Sequence, residues 1–234
     1  MLPNASLPPH NTALAGTVKL YERHLFICTG QQTWPAHIEQ DGGFAQALVW
    51  SLAAAGANLA PSVKVTACDL PSSQPVGFDL LLFPDGLRYL GVTVTQLPAL
   101  AADLLAGSQP SPRLPHTPDA GKYVFVCTHG QRDARCGQCG PPLVERFTTE
   151  LAARGLERSI MVARTSHVGG HAYAGNVLLY PGGDWYGYVT PDDVPRLIEI
   201  PLLHGDILPN LWRGRLGVTP EQQIALHTTL TNPS

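Results

Sequence analysis

The 234-residue chain carries an internal repeat, and no other feature restricts its fold as strongly. "LFICTGQ" at 25–31 returns as "VFVCTHG" at 124–130, aligning Cys28 with Cys127 at an offset of 99. "LAAAG" (52–56) and "LAARG" (151–155) keep that offset. Later it becomes 97: "LLFPDGLRYLGVTVTQLPAL" (81–100) matches "LLYPGGDWYGYVTPDDVPRL" (178–197), aligning Pro84 with Pro181, Gly86 with Gly183, Tyr89 with Tyr186 and Pro98 with Pro195. An offset that shifts once, by two residues, marks two copies of one unit. The expected units are 22–110 and 120–206, with an N-terminal extension (1–21) and a C-terminal one (207–234).

The second copy shows what the unit is. "KYVFVC" (122–127) is an apolar, β-rich run bounded by turn residues, and a polar loop leads to Gly140. "PPLVERFTTELAARG" then sets Leu143, Phe147, Leu151 and Ala152 on one helical stripe, with Pro at the start and Gly155 at the stop. "SIMVAR" (159–164) reads as a strand, "HVGGHAYAG" as a loop, and "NVLLYP" and "DWYGYVT" as a hairpin joined at Pro-Gly-Gly. "PDDVPRLIEIPLL" (191–203) makes the last helix, with Thr190 as N-cap. The fold class is α/β: two tandem thioredoxin-like units, each β-α-β-β-β-α. In that layout the loop after the first strand meets the loop entering the third, so residues 128–141 face 167–171.

Composition narrows the function. A net charge of -3 without a long basic run argues against nucleic acid or an anionic membrane as partner. The longest apolar run, 47–60, is too short to span a bilayer, and residues 1–24 lack a signal-peptide pattern. The expectation is a cytoplasmic protein, in which five cysteines serve as thiols or metal ligands rather than structural disulfides.

Five side chains of ligand type fall on the two facing loops: Cys127, Cys136, Cys139, His167 and His171. Gly169 and Gly170 disfavour a helix between the two histidines and let the backbone approach a ligand closely. HVGGH lacks the Glu of the zinc-protease motif. Three readings compete. Cys136 and Cys139 form a CxxC dithiol, which leaves Cys127 and both histidines without a role. Cys136, Cys139, His167 and His171 form a closed zinc site. Or Cys127 and Cys136 join the two histidines around an iron–sulfur cluster.

The spacing C-x8-C (127, 136) followed by H-x-G-G-H (167–171), with "CTHGQRDARCG" and "HVGGHAYAGNVLLYPGGDWYG", resembles the sucrase/ferredoxin-like family, relatives of the thioredoxin-like ferredoxins. The resemblance runs from about residue 22 to 217 and is strongest in 122–190. It implies one [2Fe-2S] cluster, with thiolates from Cys127 and Cys136 on one iron and imidazoles from His167 and His171 on the other. It also implies an electron carrier that meets a redox partner protein, not an enzyme. No carboxylate pair suggests a glycosidase site. Cys139 is left as a neighbour or alternative ligand.

At offset 99 the first copy offers Cys28, His37, Cys68 and Ser72 at the four ligand positions, which reads as a degenerate copy without a cluster. Around the site, Arg132, Asp133 and Arg135 read as a salt-bridge network or tuning charges. His129 reads as a solvated loop histidine and Asn176 as a turn residue. Trp185, Tyr186 and Tyr188 read as hairpin packing. Arg213 and Arg215 form a short basic patch that either faces an acidic partner or pins the tail.

Two thiolates and two neutral imidazoles leave an oxidised cluster less negative than four thiolates do, and each imidazole keeps a second N–H that can leave. The midpoint potential should therefore fall as pH rises near or above neutrality. A redox titration that stays flat from about pH 6 to 10 overturns that coupling.

Overall fold

The computed structural model describes residues 14–56, 63–106 and 114–232. The chain runs β1 (Arg23–Cys28), α1 (Phe44–Ala55), β2 (Val63–Cys68), β3 (Phe78–Phe83), β4 (Leu87–Val92), α2 (Leu97–Ala106) and β5 (His116–Pro118). It continues with β6 (Lys122–Cys127), α3 (Ala134–Ala153), β7 (Ile160–Thr165), β8 (Val177–Tyr180), β9 (Asp184–Tyr186), α4 (Val194–Leu197), β10 (Trp212–Arg215) and α5 (Pro220–Thr231). The order of elements over 23–106 thus recurs from 122 on. All ten strands form one sheet, β10-β9-β8-β6-β7-β2-β1-β3-β4-β5, in which β1 with β2 and β6 with β7 are parallel and the remaining pairs antiparallel.

Strand alternation sorts the side chains onto two faces. Leu25, Ile27, Leu80 and Leu82 pack under α1 and α2. Val124, Val126, Val177 and Leu179 pack under α3 and α4. The opposite faces of both halves contribute to a single core that includes Phe26, Cys28, Phe83, Phe125, Cys127 and Tyr180. Phe26 stacks on Phe125 with ring centres 3.8 Å apart, and Phe83 on Tyr180 at 4.3 Å. In a flat sheet β1 and β6, three strands apart, would be separated by about 14 Å. The sheet therefore folds over at the β2–β7 seam, giving four layers: helices, half-sheet, half-sheet, helices.

The repeat explains which residues meet. Phe26 and Phe125 are equivalent at offset 99, and Phe83 and Tyr180 at offset 97, so each stacks on its own counterpart. His24 contacts Tyr180 while its equivalent Tyr123 contacts Phe83, the reciprocal pattern of a two-fold interface. The seam itself pairs equivalents, Cys68 with Thr165. Thr165 Oγ1 donates to Ala67 O at 3.0 Å, and Ala67 N donates to Ser166 Oγ at 2.9 Å. His24 is fully buried; its Nδ1 lies 2.6 Å from Tyr180 Oη and its Nε2 3.0 Å from Thr66 Oγ1. Burial holds it well below the usual imidazole pKa, so it is neutral.

Three local expectations are corrected. α3 begins at Ala134, not Pro141, so Cys136 and Cys139 both lie on the helix. Asp133 caps it by accepting from Arg135 N at 3.0 Å, and the two prolines are carried inside the helix. β9 ends at Tyr186 because Tyr188 takes a positive φ of 54°. The last helix is a succession of a 3-10 turn (Pro191–Asp193), α4 and a π turn (Ile198–His204), with Pro195 and Pro201 interrupting regular hydrogen bonding. In the expected extensions, Val18 and Tyr21 join the inter-sheet core and β10 pairs with β9 at the sheet edge.

Because both halves share one core, they should unfold together. Phe125→Ala removes the central ring and is expected to cost about 3–5 kcal/mol. Chemical denaturation followed by both far-ultraviolet circular dichroism and tryptophan fluorescence should still give one coincident transition, at lower denaturant.

Candidate metal centre

β6 ends at Cys127, buried, with its thiol at one end of the inter-sheet core. Cys136 is buried on the first turn of α3. Two glycines let that turn sink onto the strand end. A Cβ on Gly140 would overlap the Cys127 carbonyl, and one on Gly137 would lie 2.7 Å from Gly130 Cα. His167 arrives on the loop after β7. The ligand atoms of Cys127, Cys136 and His167 all lie within 4.8 Å of one another, the one such group of three among the described residues.

The electrostatics separate the two thiols. The Cys136 thiol donates to Cys127, and with His167 and the backbone N–H groups of His129 and Val168 it holds Cys127 well below the usual thiol pKa. Sharing that proton, and burial, raise Cys136. Cys127 is the first of the pair to ionise. His167 Nδ1 is buried and has no hydrogen-bond partner. An orphaned nitrogen beside two thiols that share a proton is a donor set that fits a thiophilic metal or cluster.

His129 is not the solvated loop residue expected. It is buried, donates from Nε2 to Trp34 O at 2.9 Å, and accepts His167 N–H on Nδ1 at 2.9 Å. A residue of the second half thereby uses the first half to hold the ligand loop. Trp34 closes over it, ring centres 5.9 Å apart.

His171 sits beside the trio rather than within it. Its ring centre is 5.7 Å from that of His167, its Nδ1 is 3.9 Å from Asp133 Oδ2, and its side chain is 51% exposed. Gly169 and Gly170 have φ of 94° and 69°, and a Cβ on Gly170 would overlap the Arg213 guanidinium. Asn176 ties this loop down: Nδ2 donates to Gly170 O at 3.0 Å, and Oδ1 accepts from Arg213 Nη1 at 2.6 Å. Asn176 is thus buried and hydrogen-bonded beside the site, not a turn residue, and Arg213 is buried and pins the C-terminal segment to the body, the second of its two expected roles. Arg215 pairs with Asp184 at 2.8 Å. Asp133 and Arg135 do form an ion pair, at 2.8 Å, which with Arg135 N–H holds the Asp133 carboxyl down to about 2. Arg132 lies against His37 of the first half.

Cys139 is left outside. It is half-buried on α3, its pKa is raised by burial, and it is not part of the mutually close group. In the first half the counterpart positions also resolve differently. β1 pairs Cys28 with Cys68 just as β6 pairs Cys127 with Thr165, so Cys68 is the equivalent of Thr165, not of His167. The offset has already changed to 97 at the second strand. Cys28 and Cys68 are buried with sulfurs 3.9 Å apart. His37 pairs with Glu39 at 3.1 Å and Ser72 binds Asp79 at 3.2 Å, so neither joins them. The roles of His129, Asn176 and Arg213 carried no spacing signal. Asp133, an N-cap residue type just before a helix, did.

The sequence model of the sucrase/ferredoxin-like family matches residues 14–214. The chain belongs to that family. It is 42% identical over 104 residues to altered inheritance of mitochondria protein 32 of Debaryomyces hansenii, covering 42% of this chain and 37% of that protein. It is 38% identical over 89 residues to actin patches distal protein 1 of Saccharomyces cerevisiae, covering 33% and 28%. The matched stretch thus spans about a third of these relatives' length. Among solved structures, a thioredoxin-like [2Fe-2S] ferredoxin from Aquifex aeolicus aligns with 25% identity and a TM-score of 0.36, covering 43% of this chain and 96% of that one.

Gly170→Ala forces a Cβ into a left-handed residue and against Arg213, at a cost of about 1–2 kcal/mol for the backbone conformation alone. The thermal midpoint should drop by about 2–8 °C, read by differential scanning calorimetry.

Proposed function

We propose that this chain is an electron-transfer protein holding one [2Fe-2S] cluster in its second half through Cys127, Cys136, His167 and His171. The observation that carries this reading is the group of two buried thiols and an imidazole within 4.8 Å, its His167 Nδ1 unpartnered, with a second imidazole ring 5.7 Å away. Family membership supports it. Cys127 and Cys136 would supply the thiolates to one iron, and His167 and His171 the imidazoles to the other. When bound, the cluster supplies a one-electron couple, raised in potential relative to an all-cysteine site.

The chain's own residues do the rest. The end of β6 and the first turn of α3 bury the two sulfurs, while the N–H groups aimed at Cys127 stabilise negative charge there. His129 and the Asn176–Arg213 pair fix the loop that carries both histidines. His171 is the exposed member, so its ring is the edge at which a redox partner protein would approach and at which an N–H can exchange with solvent. In this reading the protein is a carrier, not an enzyme, and neither nucleic acid nor a membrane is its partner. No helix among the described residues is long and apolar enough to cross a membrane. All five cysteines are free thiols, which suits a reducing compartment such as the cytoplasm.

Anaerobic purification followed by iron and sulfide analysis, visible absorption and electron paramagnetic resonance tests the reading. Two irons and two sulfides per chain are expected. Cys127→Ser should abolish the cluster and Cys139→Ser should retain it. A colourless protein holding one zinc per chain overturns the proposal.

A further inference from the structure

A cavity of about 600 Å³ opens at the seam, lined by Lys64, Arg213, Tyr21, Trp185, Gly169 and Gly170 among others. The register explains why these meet. Cys68 pairs antiparallel with Thr165 where β7 ends, and beyond that seam Val63 and Lys64 of β2 line the same cavity as Gly169 and Gly170 of the loop after β7. The loop between the two histidines thus forms one wall, and β2 of the first half another.

The charge in this cavity is one-sided. Lys19, Lys64 and Arg213 line it, and no Asp or Glu does. Arg213 spends its donors on neutral acceptors: Thr17 Oγ1 at 3.0 Å, Thr17 O at 3.2 Å and Asn176 Oδ1 at 2.6 Å. Lys64 has no hydrogen-bond or ion-pair partner among the described residues. Its ammonium lies 5.8 Å over the Tyr21 ring and 5.5 Å over that of Trp185. Those rings take an edge of the cost of burying the cation but accept no hydrogen bond of ordinary strength. The N–H groups of Gly169 and Gly170 likewise donate to nothing among the described residues. Burial, with repulsion from Arg213 and Lys19 and against the pull of Cys127, pushes Lys64 down to about 8, and burial alone pushes Arg213 down to about 10.

The geometry points to a binding site for a small molecule that carries a phosphate or carboxylate group, held by the Lys64 ammonium beside the Gly169–Gly170 backbone. An oxyanion there relieves the repulsion between the two cations and takes charge-assisted hydrogen bonds from donors that otherwise have none. The volume falls within the range of about 300–1,000 Å³ typical of small-molecule sites, so the anionic group sits on a body up to about the size of a mononucleotide. The site needs no metal, and its test is read without one.

Isothermal titration calorimetry of the purified full chain at low salt, with pyrophosphate, AMP and citrate as separate probes, tests this. One-to-one binding of a probe is expected; pyrophosphate or AMP without citrate assigns a phosphate ligand, and citrate alone a carboxylate. Lys64→Gln should weaken binding about 10- to 100-fold, the loss of one hydrogen bond to a charged group, while Lys64→Arg retains it. A thermal midpoint of Lys64→Gln no lower than that of the parent shows that the fold is intact, because the substitution removes an unpaired cation. Wild-type protein that binds none of the probes, or Lys64→Gln that binds as tightly as the parent, overturns the assignment.

Discussion

The fold depends on two half-sheets lying face to face through stacked aromatic rings. Phe26 against Phe125 and Phe83 against Tyr180 span what would otherwise be distant strands, and so compel the ten-stranded sheet to fold at its centre. Stacked and edge-on aromatic pairs add about 0.5–1.5 kcal/mol each beyond their buried area. Several of them share the same few rings, so the halves are joined by a core rather than by the short β2–β7 seam. The buried His24 fits within this core because both of its nitrogens find hydroxyl partners there.

That arrangement also places the chemistry. Strands β1 and β6 both end in cysteine at the same end of the core, and the loops that follow come together there. Cys127, Cys136 and His167 all belong to the second half, yet Trp34 of the first half receives the hydrogen bond that orients His129, which in turn holds His167. A site on one unit is therefore completed by the other. The sulfurs lie in low-dielectric surroundings and His171 at the surface, so the site is dry on one side and wet on the other.

Much of this was legible in the sequence, for physical reasons. Alternating apolar strands and the preserved offset pointed to the order of elements that recurs along the chain, because side-chain period and element length are local properties. The meeting of residues 128–141 with 167–171 followed from topology. What escaped depended on contacts between distant segments. The folding of the sheet could not be read because Phe26 and Phe125 look like ordinary strand residues. The start of α3 was masked because Pro141 and Pro142 read as a first turn, which outweighed Asp133 as a cap. Asn176 and Arg213 are 37 residues apart and share no periodicity, so their joint hold on Gly170 was invisible. The first-half equivalence failed at Cys68 because the two-residue shift falls earlier than the obvious matches suggest.

The reciprocal contacts between halves carry a consequence for divergence. In a symmetric dimer of identical chains every substitution appears twice, once on each side of the axis. Joined in one chain, the two sides answer separately. Asp79 and Asn176 occupy equivalent positions, and the pair shows what that freedom permits. The first half keeps a buried carboxylate that binds Arg88 and the Ser73 and Gly91 amides, where it serves only to lock a hairpin. The second half carries a neutral amide of nearly the same shape, which repeats the loop-tying role without placing a negative charge next to the thiols. A duplicated sequence held in register can thus specialise one copy for chemistry while the other retains the architecture.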